Sequence, residues 1–383
     1  MPDGRNPSTA IHKTTLKPSL PSPPRPWHSQ LTLDLLVHVL ARTVFHPFLA
    51  ALLPLCLRAL AAPYDSPSFI FTCAFAISVS LYRLLEVWNR RIAYGIPREI
   101  DWEDETILIT GGVGGLGGCL TEIFAIRGVG IAVLDVAVDG TRLKDGEEKE
   151  GVKYYHCDVG DYEQIEEVWK RVVDDIGRPT ILINNAAVVN GKPFLEQTRE
   201  DVEKTFGVNT LAHYHLTRLF LPPILNRPSG GTVITVSSVL AHLGASHLSA
   251  YTASKAALLA YHTSLSAELA ELAPRIKTIL VAPGQLDTQL FGNIKLKGWL
   301  RNFFGPVVGA GEVAVRIVEM IDRGEGGVVS QPAYARWIAW LEVLPVGLQS
   351  MLRRWTGVDD TFSRPVPHMA EGDQKIKMMS GEQ

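Results

Sequence analysis

From about residue 101 the chain alternates short apolar, β-branched runs with helix-length stretches, and this alternation restricts the fold more than any other feature. The runs are Thr106–Thr110, Gly130–Val136, Val152–Val159, Ile181–Ala187, Gly231–Ser238 and Lys277–Gly284, with a further one at Gly327–Gln331. A glycine cluster and a helical stretch follow the first run. Further helical stretches lie at Tyr162–Ile176, Glu200–Leu225 and Ala250–Leu272. Runs that lack polar alternation suit strands covered on both faces, and helical crossovers between parallel strands supply that cover. The expected fold class is α/β, a doubly wound parallel sheet over residues 101–332.

The first run leads into Thr110-Gly111-Gly112-Val113-Gly114-Gly115-Leu116-Gly117 and then a helix. Glycines there permit positive φ and let the backbone approach a pyrophosphate, whose charge sits at the helix N-terminus. Alone, such a cluster is also what any tight strand–helix turn needs; the strand before it and the helix after it favour the phosphate reading. Asp135 ends the second run. An acid at that place accepts hydrogen bonds from adenosine ribose hydroxyls and repels a 2′-phosphate, which favours NAD over NADP. Arg142 and Lys144 follow in the same loop and oppose that repulsion, so NADP stays open.

Tyr251 and Lys255 are four residues apart in a predicted helix, which places them on one face about 6 Å apart at Cβ. A phenol titrates near 10 and is a poor base at neutral pH; a neighbouring ammonium favours its phenolate. Ser238 ends the fifth run, where its hydroxyl can hold a substrate oxygen while Tyr251 exchanges the proton.

With these residues in place, the chain from about Asp104 to Gln331 resembles the short-chain dehydrogenase/reductase family, whose fold is of Rossmann type. The matching positions are the TGxxxGxG turn (Gly111, Gly115, Leu116, Gly117), Asp135, Cys157-Asp158-Val159, Asn184-Asn185-Ala186-Ala187, Asn209, Ser238, Tyr251, Lys255, Pro283-Gly284 and Thr288. The resemblance implies four catalytic roles: Asn209 as proton relay through a held water, Ser238 orienting substrate, Tyr251 as acid/base and Lys255 tuning it. It implies cofactor contacts at Gly111, Gly115, Leu116, Gly117, Asp135, Asp158, Val159, Asn185, Ala186, Tyr251, Lys255, Pro283, Gly284 and Thr288. NAD is the expected cofactor, and a homodimer is an expected assembly. One departure is Ala187, where the family usually has glycine; the extra methyl removes no catalytic group. Within the family, the apolar N-terminal extension and Asn209-Thr210-Leu211-Ala212-His213 are similar to the membrane-associated retinol and hydroxysteroid dehydrogenases. A lipophilic substrate is the corresponding expectation.

The flanks read differently. Residues 1–30 hold seven prolines and four serines, a composition that buries too little apolar surface to order itself, so a disordered tail is expected. Thr43–Leu57 carries no acid or base other than His46, and Ser66–Tyr82 carries no charge. Each run is short of the roughly 20 residues a spanning helix needs. A pair of buried core helices is the plain alternative, but the fold is complete from Asp101 onward and needs no further helices to cover its sheet, so residues 31–92 are read as a membrane anchor, either a hairpin dipping into one leaflet or two spans. Arg5, Lys13, Lys17 and Arg25 precede it, Arg83, Arg90 and Arg91 follow it, and the connection Arg58–Asp65 has one charge of each sign. Positive flanks put both ends in the cytosol, on the endoplasmic reticulum or a lipid droplet. Ala333–Thr356 patterns as an amphipathic helix kinked at Pro345, within a C-terminal region 333–362, and 363–383 as a polar tail. Its aromatic stripe reads as core packing.

Composition excludes other classes. A hydrophobic fraction of 46% with 20% charged residues is that of a folded chain. A net charge of −3 gives no field for nucleic acid. Cys56, Cys73, Cys119 and Cys157 form no CxxC pair and no zinc spacing, which suits a reducing compartment. His213 and His215 point to different helix faces, so no metal is expected. His242 and His247 lie in the segment that borders the family's substrate pocket, though ordinary loop histidines are the plainer reading. Phe291–Val308 falls where the family places a substrate lid, and a plain amphipathic helix fits it equally. Two other classes remain: an inactive membrane-bound protein that kept the fold, opposed by the intact Asn209, Ser238, Tyr251 and Lys255 set, and an epimerase or dehydratase sharing YxxxK, opposed by the short C-terminal remainder.

Overall fold

A computed structural model of the chain describes residues 31–138, 144–146, 148–149, 151–288, 290 and 299–361. The expected tails at 1–30 and 363–383, and Arg142, lie outside the described residues. The strands are β1 (Thr106–Thr110), β2 (Gly130–Asp135), β3 (Glu148–Lys149), β4 (Val152–His156), β5 (Ile181–Asn184), β6 (Gly231–Val236), β7 (Ile276–Val281) and β8 (Gly327–Val329). They form one sheet in the order β3-β4-β2-β1-β5-β6-β7-β8. All neighbours are parallel except the two-residue β3, which pairs antiparallel with β4 at the edge. The sequence gives no sign of β3, because two polar residues have no periodicity to show.

The helices are α1 (Leu33–Arg42), α2 (Pro47–Ala59), α3 (Pro67–Tyr94), α4 (Gly115–Ile126), α5 (Tyr162–Ile176), α6 (Arg199–Phe206), α7 (Ala212–Leu225), α8 (Ser249–Leu272), α9 (Trp299–Phe304), α10 (Ala310–Asp322), α11 (Val346–Thr356) and α12 (Val358–Thr361). Alternate strand residues sort onto two cores. Ile107, Ile109, Ile131 and Val133 pack with Leu120 and Phe124 of α4 and Val313 and Ile317 of α10. Leu108, Leu182 and Val233 pack with Val168 of α5 and Leu216 and Phe220 of α7. Strand order reverses between β1 and β5, and the crevice beyond their carboxyl ends is where such sheets take ligands.

The expected Glu200–Leu225 helix is interrupted: α6 and α7 flank a π-helical turn, Gly207–Leu211. Such turns recur at functional sites because they re-aim one side chain without ending the helix. The C-terminal expectation is corrected. Ala333–Thr356 is not one kinked helix but two 3-10 turns, Ala333–Arg336 and Ile338–Val343, followed by α11. Pro345 is the N-cap residue of α11 rather than a kink within it, in line with proline's tolerance at helix starts. Nor is its aromatic stripe core: Trp337 and Trp340 are 66% and 67% exposed.

Helix α3 extends well past the uncharged run. It has 28 residues, it is long and apolar enough to cross a membrane, and 11% of its most apolar window is buried. Helices α1 and α2, bent by 54° at their break, pass the same test together. Only Ala50, Ala76 and Val79 are buried here, where α2 meets α3. Two of the links that tie this region to the sheet domain lie at its ends. Asp34 of α1 accepts a hydrogen bond from the Ala333 amide at 2.6 Å. After α3, Arg98 makes a two-bond ion pair with Glu105 at 3.0 and 3.1 Å, with both side chains 1% exposed. Arg98 thus belongs to the packed unit, which begins before residue 101.

Candidate active site

The glycine turn has the geometry its sequence suggests. Gly111 and Gly115 adopt φ of 65° and 57°. A Cβ on Gly117 would stand 2.1 Å from the Gly111 carbonyl oxygen, so no side chain fits there. Helix α4 starts at Gly115 without a side-chain cap, leaving first-turn N–H groups for an anion. Asp135 braces the turn: one carboxylate oxygen accepts from the Val113 amide at 3.0 Å and the other from Ala137 at 2.9 Å. From the next strand, the Asn185 amide donates to the Thr110 and Gly111 carbonyls at 3.0 Å each, and the Thr110 hydroxyl accepts from the Asn185 and Ala186 amides at 2.9 and 3.0 Å. Leu116 and Val159 turn their side chains into the two cores, so only their backbones face the crevice. Asp158 accepts from the Gly160 amide at 2.9 Å. The methyl of Thr288 lies 3.5 Å from where a Gly115 Cβ would be, which puts it over the turn.

The four expected catalytic residues converge at the far side of the crevice. Ser238 follows β6 and Tyr251 opens α8; the phenol is hydrogen-bonded with the Ser238 side chain. The Ser238 hydroxyl oxygen also accepts from the Leu240 amide at 3.2 Å. Lys255 Nζ sits 5.8 Å from the Tyr251 ring centre and donates to the Val236 carbonyl at 2.9 Å. Asn209, in the π-helical turn, binds both backbone groups of Val188, accepting at 2.8 Å and donating at 3.0 Å, and donates to Ser254 at 3.1 Å. All four are nearly inaccessible. Burial raises the Tyr251 phenol well above its usual range and pushes Lys255 down to about 7. Both shifts follow from desolvating the charged form.

The short chain dehydrogenase profile matches residues 105–298. "Uncharacterized oxidoreductase TDA5" of Saccharomyces cerevisiae is 30% identical over 308 residues, 77% of this chain and 89% of that protein. The chain belongs to the short-chain dehydrogenase family. Human "Retinol dehydrogenase 10" is 31% identical over 240 residues, 55% of this chain and 70% of its own length. Among solved structures, a short chain dehydrogenase from Burkholderia cenocepacia in complex with NADP is 26% identical with a TM-score of 0.53, covering 67% of this chain and 99% of that one. The protein is an oxidoreductase acting on CH–OH groups with NAD or NADP.

The residues of this dehydrogenase fit a dinucleotide: positive φ at Gly111 and Gly115 shapes the turn, a Cβ on Gly114 would project into open space, and α4 offers uncapped amides. Several residues around the site had no signal in the sequence. Gly284 is demanded by Tyr334, whose hydroxyl would lie 2.5 Å from a Cβ there. Tyr334 comes from the first C-terminal 3-10 turn, and nothing local marks it as a site residue. His213 and His262 are buried, and burial holds both uncharged, His262 down to about 4. His215 packs against Tyr162 instead, with ring centres 4.5 Å apart and planes tilted by 55°, so the two histidines of that helix do face apart. His242 pairs with Glu342 at 2.9 Å, which ties the loop before Tyr251 to the C-terminal segment. His247 takes φ of 65°. Of the lid candidate, residues 291–298 lie outside the described residues; α9 follows, and Phe304 packs on Trp355 of α11 with ring centres 6.0 Å apart.

Proposed function

We propose that this dehydrogenase interconverts a lipophilic alcohol (a retinoid, steroid or long-chain alcohol) and its carbonyl at a membrane surface, with NAD preferred. The observation that carries the chemistry is the Ser238–Tyr251 hydrogen bond with Lys255 behind it. In oxidation, Ser238 holds the substrate hydroxyl and Tyr251 removes its proton as phenolate; in reduction, the Tyr251 phenol returns it. Burial alone disfavours both the phenolate and the ammonium; a protonated Lys255, together with the positive ring of a bound nicotinamide, would supply the charge that favours the phenolate. Asn209 fixes the Val188 segment beside them and serves the proton relay. The glycine turn, Asp135, Asn185 and Thr288 would hold the dinucleotide, which when bound would supply the hydride acceptor or donor. Asp135 keeps a lone pair on each oxygen beyond its two backbone bonds, enough for a ribose diol, and its charge disfavours a 2′-phosphate.

The lipophilic reading is supported by the similarity to retinol dehydrogenase 10 and by the unburied apolar helices. Arg83, Arg90 and Arg91 on the downstream flank of α3 support a catalytic domain on the cytosolic side of the endoplasmic reticulum or a lipid droplet. The test is a screen of the full chain against alcohols and aldehydes of graded chain length with each cofactor. Long-chain or polyene substrates with NAD give the highest kcat/KM, and Tyr251→Phe lowers turnover by about 10²–10⁴-fold while cofactor affinity is kept. Activity confined to small polar alcohols overturns the lipophilic assignment, and near-normal turnover of the variant overturns the role of Tyr251.

A further inference from the structure

Where α3 leaves its uncharged run, its next three turns and the loop between α10 and β8 enclose a cavity of about 340 Å³. Its lining includes Arg83, Arg90, Arg91 and Arg323 against only Glu86 and Glu325. Glu86 is already shared between Arg83 and Arg90, at 3.0 and 3.1 Å, and Glu325 reaches Arg90 at 3.7 Å. Arg91 has no carboxylate partner among the described residues, and Arg323 reaches only Glu319, at 4.0 Å and outside the lining. Two positive charges therefore stay uncompensated around one concave space. The ammonium of Lys277, bonded to the Tyr94 carbonyl at 3.0 Å, is held below its usual range first by burial and then by the neighbouring charges of Arg91 and Arg98.

Guanidinium groups converging on a cavity match the oxygens of a phosphate, each able to give two parallel hydrogen bonds. The position selects the kind of phosphate. Ser66–Tyr82 carries no charge and Arg83 is the next residue, so on insertion of α3 the cavity opens at the depth of the lipid headgroups. Leu84, Val87 and Trp88 are 67%, 57% and 63% exposed on the same turns, apolar surface for acyl chains and a tryptophan of the kind that settles at that interface. A soluble anion needs none of this apolar surface.

We propose that this cavity binds the phosphate of an anionic phospholipid headgroup and thereby fixes the catalytic domain against the bilayer. The proposal rests on the reading of α3 as membrane-embedded. Because Arg323 comes from the sheet domain and Arg83, Arg90 and Arg91 from α3, one headgroup bridges the anchor and the enzyme.

The experiment uses the full chain in detergent with dioleoyl phosphatidate or dioleoyl phosphatidylcholine added, the retained lipid being counted by native mass spectrometry. Wild type retains one phosphatidate per chain about thirtyfold more tightly than phosphatidylcholine, the increment expected of two basic groups. Arg91→Gln with Arg323→Gln reduces the preference to within about threefold. Arg323→Gln alone, in a surface loop, gives an intermediate preference should the double variant not fold. Equal retention of both lipids by wild type, or an undiminished preference in the variants, overturns the site. Displacement of phosphatidate by inorganic phosphate at equal concentration shows a free-phosphate site and also overturns it. Flotation with vesicles of each composition separates the two readings. A chain that floats with both but shows no preference in detergent keeps its membrane helix and loses the headgroup site. A chain that floats with neither loses both.

Discussion

Two parts of this chain are rich in apolar residues and meet opposite surroundings. In β1, Ile107, Leu108 and Ile109 are fully buried, because the sheet is flanked by helices that each present an apolar face to it. In α3, Phe71, Ile77 and Leu84 are 71%, 65% and 67% exposed, because α2 is the one long element packed along it and covers little of it. The difference lies in what the neighbouring elements offer. The sheet runs are punctuated by glycine turns and by helices whose opposite faces are charged, such as α5 with Ile165, Val168 and Val172 inward. Among the described residues no such partner lies along α3, and an apolar surface left this open is what the proposed membrane would cover. Apolar content chooses burial; the pattern of the neighbours decides whether protein or lipid provides it.

A pair of phenylalanine truncations tests this contrast most severely. Phe124→Ala, in the core beneath β1, should cost about 3–5 kcal/mol, whereas Phe71→Ala should change stability by less than about 0.5 kcal/mol, both measured by chemical denaturation in detergent. A large loss for Phe71→Ala would mean that α3 is packed against protein after all. The junction between the two parts gives the next effect. Arg98→Met strands the buried Glu105 carboxylate with Arg227, 3.4 Å away, as its remaining cationic partner, and should cost about 3 kcal/mol or somewhat more. Denaturation of Arg98→Met beside Arg98→Met with Glu105→Gln checks it: the double variant should recover part of the loss, and no recovery would show that the charge is not the cause.

The smallest effect is a pH dependence confined to the sheet domain. His262 is held down to about 4 by burial, so the unfolded chain takes up its proton near 6.5 while the folded one does not. Stability is therefore full above that range, falls as pH drops through it, and stops falling below about 4. The loss is about 2–3 kcal/mol. Replacing His262 with Gln should roughly halve the slope of this limb, because His213 is also held uncharged by burial and shares it; an unchanged slope would assign the acid sensitivity to another group.

Much of the sheet and of the crevice was readable before any coordinates, for a physical reason. Strands β1, β2 and β5 to β7 are continuous apolar runs, and the glycine turn and the Tyr251–Lys255 spacing are local, so short windows contain their whole signal. What escaped is non-local or lacks periodicity. Tyr334 reaches Gly284 from fifty residues away, and nothing in either neighbourhood records the meeting. Asn209 was matched by residue, but the π-helical turn that aims it came only from the fold. The stretch from Ala333 has helical spacing of aromatics, yet it forms 3-10 turns with Trp337 and Trp340 exposed. Spacing reports which residues can share a face; it does not report that anything will cover it.

The bond between Asp34 and the Ala333 amide joins positions 299 residues apart. At the other end of the same helical region, the Arg98 amide donates to the Gly324 carbonyl at 2.9 Å. A domain hung from one flexible stalk would swivel about it. Held at these two points, and by the Lys277 bond to Tyr94 and the Arg90–Glu325 pair between them, it is restrained from that rotation. The helices then act as a mount with a fixed bearing. The wall carrying Tyr334 beside Gly284 begins one residue after the Ala333 contact, so the position of that wall is set against α1 as well as against the sheet.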